Sequence, residues 1–111
     1  MSVTAKVLIP SKTVEVARTT QYTAANVTTI IDKFTAVNYS AGAQTLSVNL
    51  VTKATSASND NIIVQNVSLS AGETYMFPEI VGHVLAVGGF ISTLASAADS
   101  ISIRASGREI S

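Results

Sequence analysis

The most constraining feature of this sequence is an alternation with a period of two. In several segments, β-branched apolar residues alternate with Ser, Thr and other small polar residues, so apolar side chains share one face of the segment. The clearest case is segment 44–52, in which Leu46, Val48 and Leu50 alternate with polar residues. Such alternation is typical of a half-buried β-strand, and β-branched and hydroxylated residues are mediocre helix formers. The pattern therefore predicts an all-β protein.

Seven to nine short strands are expected. Besides 44–52, alternation or a short apolar run bounded by turn residues marks strands at 3–9, 13–17, 28–38, 62–69, 74–77, 90–95 and 100–105. Strands of this length and spacing predict a single antiparallel β-sandwich of jelly-roll or Greek-key type that spans residues 1–111. Residues 1–10 are predicted to form an N-terminal arm or an edge strand.

Several finer expectations follow from local signals. Pro10 has no backbone N–H, so it should end the first strand or mark it as an edge strand. Segments 28–38 and 44–52 are joined by a short Gly-containing turn, which predicts a hairpin. Residues 53–61 are polar and aperiodic, and they predict a mobile loop. Gly107 is expected to bend the chain after the last strand. In segment 62–69 the predicted core face comprises Ile63, Val67 and Leu69.

The composition excludes several classes of function. Seven basic residues balance seven acidic ones, which argues against a protein that binds nucleic acid by neutralising phosphates. The chain has no cysteine, so it can form neither a disulfide nor a cysteine-ligated metal site. No apolar run has the length of a membrane-spanning helix. Charged residues make up 13% of the chain and hydrophobic residues 47%, which suits a surface partly covered by other subunits.

The residues that could support catalysis are few. His83 is the only histidine, and no G-x-S-x-G motif is present to expose a nucleophilic serine. Glu79 and His83 have a metal-ligand spacing, but Gly82 between them and the preceding proline oppose the helix that this spacing needs. Asp60 has asparagine neighbours and is more typical of a turn than of a calcium site. We therefore predict no catalytic, cofactor-binding or metal-binding residues and no enzymatic activity.

Asp32 is expected to form a structural ion pair across the sheet with a basic residue such as Arg104. Two apolar segments are candidate partner-binding sites. One is the first strand, which can add to the edge of a neighbour's sheet, and the other is the apolar loop 81–90. The candidate residues are Val3, Val7, Leu8, Ile9, Val84, Leu85, Val87 and Phe90. The alternative is that both segments complete the core of this chain.

Three segments together resemble a known family. They are IIDKFTAVNYSAGAQTLSVNLV (30–51), SLSAGETYMFPEIVGHVL (68–85) and GGFISTLASAADSISIRASGREI (88–110). Their order of strands and small-residue turns, from about Thr19 onward, resembles the capsid decoration (staple or cement) proteins of epsilon15-like tailed phages, which are podoviruses. The shared features are turn and strand patterns, and the resemblance carries no site residues.

The resemblance implies a structural virion protein on the outer surface of an icosahedral capsid. Its partners would be the major capsid protein and a second copy of itself, because the family is expected to bind as homodimers that tie neighbouring capsid subunits together. Nucleic acid, membranes and cofactors are not expected partners. Two alternatives remain open, a structural protein of the phage tail or baseplate and a carbohydrate-binding β-sandwich module. Tyr22, Tyr39 and Tyr75 do not form an evident sugar-binding group in the sequence.

Overall fold

The computed structural model describes residues 2–111 and contains nine β-strands. Within this range the chain forms no helix, and the all-β prediction is confirmed. The strands are β1 (Val3–Thr13), β2 (Thr19–Thr23), β3 (Thr28–Asn38), β4 (Gln44–Val51), β5 (Ile62–Leu69), β6 (Thr74–Met76), β7 (Val84–Leu85), β8 (Phe90–Ala95) and β9 (Ile101–Ile110).

The strands form two antiparallel sheets that pack face to face as a β-sandwich. Sheet A has the order β1-β9-β3-β6, with the short β7 also paired to β3, and sheet B has the order β2-β8-β4-β5. The first four strands alternate between the two sheets, and the last strand lies between the first and the third. This is the connectivity of a jelly roll.

The core lies between the sheets and consists mostly of Ile, Leu, Val and Phe side chains. Phe34 and Phe77 meet edge to face, with ring centroids 5.5 Å apart, and Tyr75 meets Phe77 at 4.6 Å. The largest fully buried side chains are Phe34, Phe77, Ile9, Ile31, Leu46, Leu69, Ile80, Ile91, Ile101, Ile103, Val14 and Val48.

The predicted hairpin between 28–38 and 44–52 is wrong. β3 belongs to sheet A and β4 to sheet B, so the connection between them crosses from one sheet to the other. Buried Asn38 fixes this crossing, because its Nδ2 donates to the carbonyl oxygens of Gly42 and Leu69 at 2.8 and 2.9 Å. A short turn after a strand has the same appearance in the sequence whether the chain pairs back or changes sheets.

β1 is an edge strand that continues through Pro10 to Thr13, so the strand predicted at 13–17 is wrong. Proline is tolerated in an edge strand, because the N–H that it lacks is not needed to bond to a further strand. The pairing of β1 with β9 shifts between Val7 and Ile9 and again between Ile9 and Lys12. The first shift buries Leu8 and Ile9 together, although strict alternation would place them on opposite faces.

β5 contains a second irregularity, at Asn66. This residue has a φ of 50°, in the left-handed region, and its N–H donates to the Ser47 Oγ at 2.9 Å. The bulge changes the phase of the strand, so Val64 and Leu69 are buried whereas Ile63 is exposed. The predicted core face of segment 62–69 is therefore correct for Leu69 and wrong for Ile63.

The bend predicted at Gly107 is wrong, because this residue lies within β9. A Cβ built on this glycine would collide with the carbonyl oxygen of Ile30 and would lie 3.0 Å from Leu8 Cδ1. Glycine at this position lets β9 approach β3 and the core closely.

The 53–61 loop, predicted to be mobile, is tied to the outer side of sheet B. Buried Asn49 donates from its Nδ2 to the Ser58 carbonyl oxygen at 2.9 Å and to the Asn61 Oδ1 at 2.7 Å. The Asn61 amide donates in turn to the Ser56 carbonyl oxygen at 2.9 Å. One buried amide thus organises most of the loop.

Candidate interaction surface

The most distinctive surface of the molecule is the outward side of sheet A, which we call the outer face. The pairing register aligns Ala5, Arg108, Ile30 and Val84 in one row across β1, β9, β3 and β7. Because alternate residues of a strand point to the same side, this row fixes the other members of the face. They are Val3, Val7, Thr28, Lys33, Thr35, Val37, Thr74, Met76, Ser102, Arg104, Ser106 and Ile110.

The outer face concentrates exposed apolar side chains. Val3, Val7, Met76 and Val84 are 56%, 41%, 58% and 57% exposed, and they account for four of the nine large hydrophobic residues exposed among residues 2–111. They lie on three different strands of sheet A, namely β1, β6 and β7, so only the register of the sheet brings them to one face. Exposed apolar side chains on one face are typical of a surface that contacts another molecule.

The same face carries a surplus of positive charge. Arg108 makes a two-pronged pair with Asp32, from Nε to Oδ2 at 2.9 Å and from Nη2 to Oδ1 at 2.8 Å. These hydrogen bonds lower the pKa of the Asp32 carboxyl. Lys33 and Arg104 have no carboxylate within 4.0 Å in the described part of the chain. Two unneutralised cations therefore remain beside the exposed apolar side chains.

Lys33 and Arg104 border a shallow groove that runs over β9 between β1 and β3. The groove has a volume of about 300 Å³, and its lining includes Ser11, Thr35, Val37 and Ser102. Side-chain hydroxyls and two cations at one end of an apolar surface suit contact with carboxylates or carbonyl oxygens of a partner.

The structure separates the sequence-predicted partner-binding residues into two groups. Val3, Val7 and Val84 lie on the outer face, and Val87 is 47% exposed in the turn between β7 and β8. The side chains of Leu8, Ile9 and Leu85 are buried in the core of this chain, at 4%, 1% and 4% exposure. Phe90 is partly buried in sheet B. Met1, the first residue of the expected arm, lies outside the described residues.

Asp32 forms the predicted ion pair across the sheet, but its partner is Arg108 and not Arg104, the residue named as an example. β3 shifts its register against β9 between Ile31 and Lys33, so Asp32 falls at a bulge beside Arg108. Arg104 instead lies opposite Thr35. Sequence periodicity gives no indication of such a shift.

The titratable residues considered for catalysis do not converge. Glu79 accepts a hydrogen bond from the Tyr75 hydroxyl at 2.9 Å, which raises the pKa of Tyr75. His83 borders a separate cleft of about 250 Å³ between β7 and the β4–β5 side of sheet B. From Ser2 onward, no group of three His, Asp or Glu side chains is placed to hold a metal ion.

A polar network that the sequence did not indicate joins the two sheets at one end. The Tyr22 hydroxyl of sheet B lies 2.6 Å from Thr29 Oγ1 and donates to Glu109 Oε2 at 2.5 Å, both in sheet A. Lys6 Nζ lies 3.3 Å from Glu109 Oε1. Burial and the neighbouring carboxylate raise the pKa of Tyr22 to about 12, and the Tyr22 hydrogen bond holds the pKa of Glu109 below its ordinary value.

No family model, curated protein or solved structure matches the chain. No helix in the described range could span a bilayer.

Proposed function

We propose that this protein is a structural virion protein that decorates the outside of an icosahedral phage capsid. In this role it binds neighbouring major capsid protein subunits and stabilises the assembled shell. The observation that carries the proposal is the outer face of sheet A, where Val3, Val7, Met76 and Val84 are exposed beside the cations Lys33 and Arg104. The sequence resemblance to decoration proteins supports the same role.

The jelly roll suits this role physically. Sheet A presents a continuous surface across β1, β9, β3 and the short β6 and β7. In the proposed role this surface bridges two neighbouring capsid subunits. Each contact can be weak, because a lattice offers many equivalent sites and a bound protein that bridges two subunits benefits from a high effective concentration. A protein that binds the assembled shell better than free subunits stabilises assembly by mass action.

Substitution of the outer face tests the proposal. We expect Val84→Glu to reduce binding to purified shells that lack this protein at least about tenfold, because a carboxylate would enter an apolar contact. Val16→Glu is the matched control, since Val16 is 53% exposed on the segment between β1 and β2, outside the outer face. The control should bind as the unmodified protein does. Equal binding of both variants would contradict docking through the outer face.

Copy number separates the proposal from its alternatives. A decoration protein is expected in hundreds of copies per particle, which the mass of intact particles measures. A few copies per particle would indicate a tail or baseplate component instead. Absence from purified particles, together with specific retention on a glycan array, would favour a carbohydrate-binding module.

A further inference from the structure

We propose that two copies of this protein join through the free edge of β1, with Val3–Val7 of one copy antiparallel to Val3–Val7 of the other and Ala5 opposite Ala5. The pairing concerns contacts between copies of this chain. It is tested without a capsid, so its failure would leave the proposed function untouched.

The direction of the backbone groups identifies the free edge. Ser2 and Ser111 exchange two hydrogen bonds, from each N–H to the other carbonyl oxygen, at 2.9 and 3.0 Å. In an antiparallel ladder such pairs alternate with pairs that exchange none. The register from Val3 to Val7 is regular, so Thr4 and Lys6 bond to β9 whereas Val3, Ala5 and Val7 direct their N–H and C=O groups away from it. These outward groups have no backbone partner in the described chain.

The other sheet edges are less suited to pairing. β6 and β7 have three and two residues, and the pairing of β2 with β8 is interrupted between Thr20 and Tyr22. β5 shifts its register twice against β4. The later half of β1 is itself blocked by its two register shifts and by Pro10. Bulges, short strands, prolines and charged side chains are the devices that keep sheet edges from pairing, and segment 3–7 has only one of them, Lys6, whose charge is offset by Glu109 at 3.3 Å.

The side chains of this segment are self-complementary. Val3, Ala5 and Val7 point to the outer face, and Val3 and Val7 are 56% and 41% exposed. In the proposed register each Val3 lies opposite a Val7 of the other copy, and the three residue pairs exchange six hydrogen bonds. On the other side, Lys6 lies opposite Thr4 of the second copy rather than opposite its own equivalent. Each Lys6 also retains Glu109 at 3.3 Å as its counterion.

A second copy matches this edge through its side chains. Any extended strand offers backbone groups at alternate residues, but a two-fold axis at Ala5 places Val3 opposite Val7 on both sides of the axis and keeps the two Lys6 residues from facing each other. The register shift after Val7 stops the pairing at the same point in both copies. The resulting sheet would join both outer faces into one continuous surface.

Charged substitutions at Ala5, which lies opposite Ala5 of the second copy, test the pairing. Two lysines at position 5 would lie directly opposite each other, and like charges in that position are destabilising. We expect Ala5→Lys and Ala5→Glu each to raise the dimer dissociation constant at least about tenfold, and an equal mixture of the two to form a heterodimer at least as tight as the unmodified dimer. Val16→Lys is the matched control and should leave the dimer unchanged. Sedimentation equilibrium or native mass measurement gives these constants.

Single cysteines provide a second measurement that depends only on register, because the chain has no cysteine of its own. Val3→Cys mixed with Val7→Cys should form a disulfide, since opposed residues in a bonded pair have Cα atoms about 5.5 Å apart. Val3→Cys alone should not, because its two copies would lie about 13 Å apart along the strands. An unmodified chain that stays monomeric at millimolar concentration would overturn the proposal. So would a dimer that is indifferent to charge at position 5, or equal cross-linking of Val3→Cys alone.

Discussion

Replacement of Gly107 by alanine is expected to destabilise the sandwich more than an exposed substitution does. A methyl group at this position meets the Ile30 carbonyl oxygen of the neighbouring strand and lies 3.0 Å from Leu8 Cδ1. A backbone carbonyl cannot rotate away, so β9 must separate from β3 and weaken the ladder between them. Overpacking of this kind costs about 1–3 kcal/mol, and we expect about 3 kcal/mol because one obstacle is backbone. That free energy corresponds to a fall in Tm of about 12 °C or more.

Thermal unfolding followed by circular dichroism measures this effect, with urea unfolding as an independent check. Gly42→Ala is the control, because a Cβ on Gly42 has no atom within 4 Å and its φ is outside the left-handed region. Its Tm should stay the same or rise slightly, since alanine restricts the unfolded chain. If Gly107→Ala melted within about 2 °C of the unmodified protein, well inside the fall derived above, the close approach of β9 to β3 would be refuted.

Two further substitutions probe the buried polar groups. Tyr22→Phe should lower stability most at neutral pH. The difference in free energy of unfolding between this variant and the unmodified protein should narrow as the pH falls through the lowered pKa of Glu109. It should also narrow as the pH rises from 10 towards 12, where Tyr22 ionises. A difference that urea unfolding shows to be independent of pH would contradict this linkage. Asn49→Ala removes the two hydrogen bonds that hold the 53–61 loop, and should cost about 1–3 kcal/mol. Amide hydrogen exchange should accelerate within that loop and not in β9, and uniform acceleration would argue against a local role.

The sequence predicted individual strands better than their arrangement. The bounds of β3, β5 and β8 agree with the predicted segments 28–38, 62–69 and 90–95, because runs of apolar and β-branched residues bounded by turn residues mark strands directly. The bulges in β1 and at Asn66 depend on how a partner strand fits, so periodicity within one segment could not reveal them. The crossing from β3 to β4 was also missed, because the residues of a turn do not indicate which sheet the next strand joins.

The candidate site was partly accessible from the sequence. Segment 3–9 and loop 81–90 were both identified as apolar, but Val3 and Val84 reach one face only because β9 and β3 lie between their strands. The network of Tyr22 and Glu109 joins residues 87 positions apart, and neither residue has a local pattern that marks it. Long-range pairing of this kind requires the topology.

The position of β9 has a consequence for how the protein is made. This strand is the last in the sequence, yet it supplies the hydrogen-bonding partner of β1 and one of the partners of β3. While the chain is being synthesised, β1 and β3 leave the ribosome without the strand that will separate them. Sheet A can therefore close only after Ile110 has emerged, and the nascent chain must keep its apolar segments from aggregating until then.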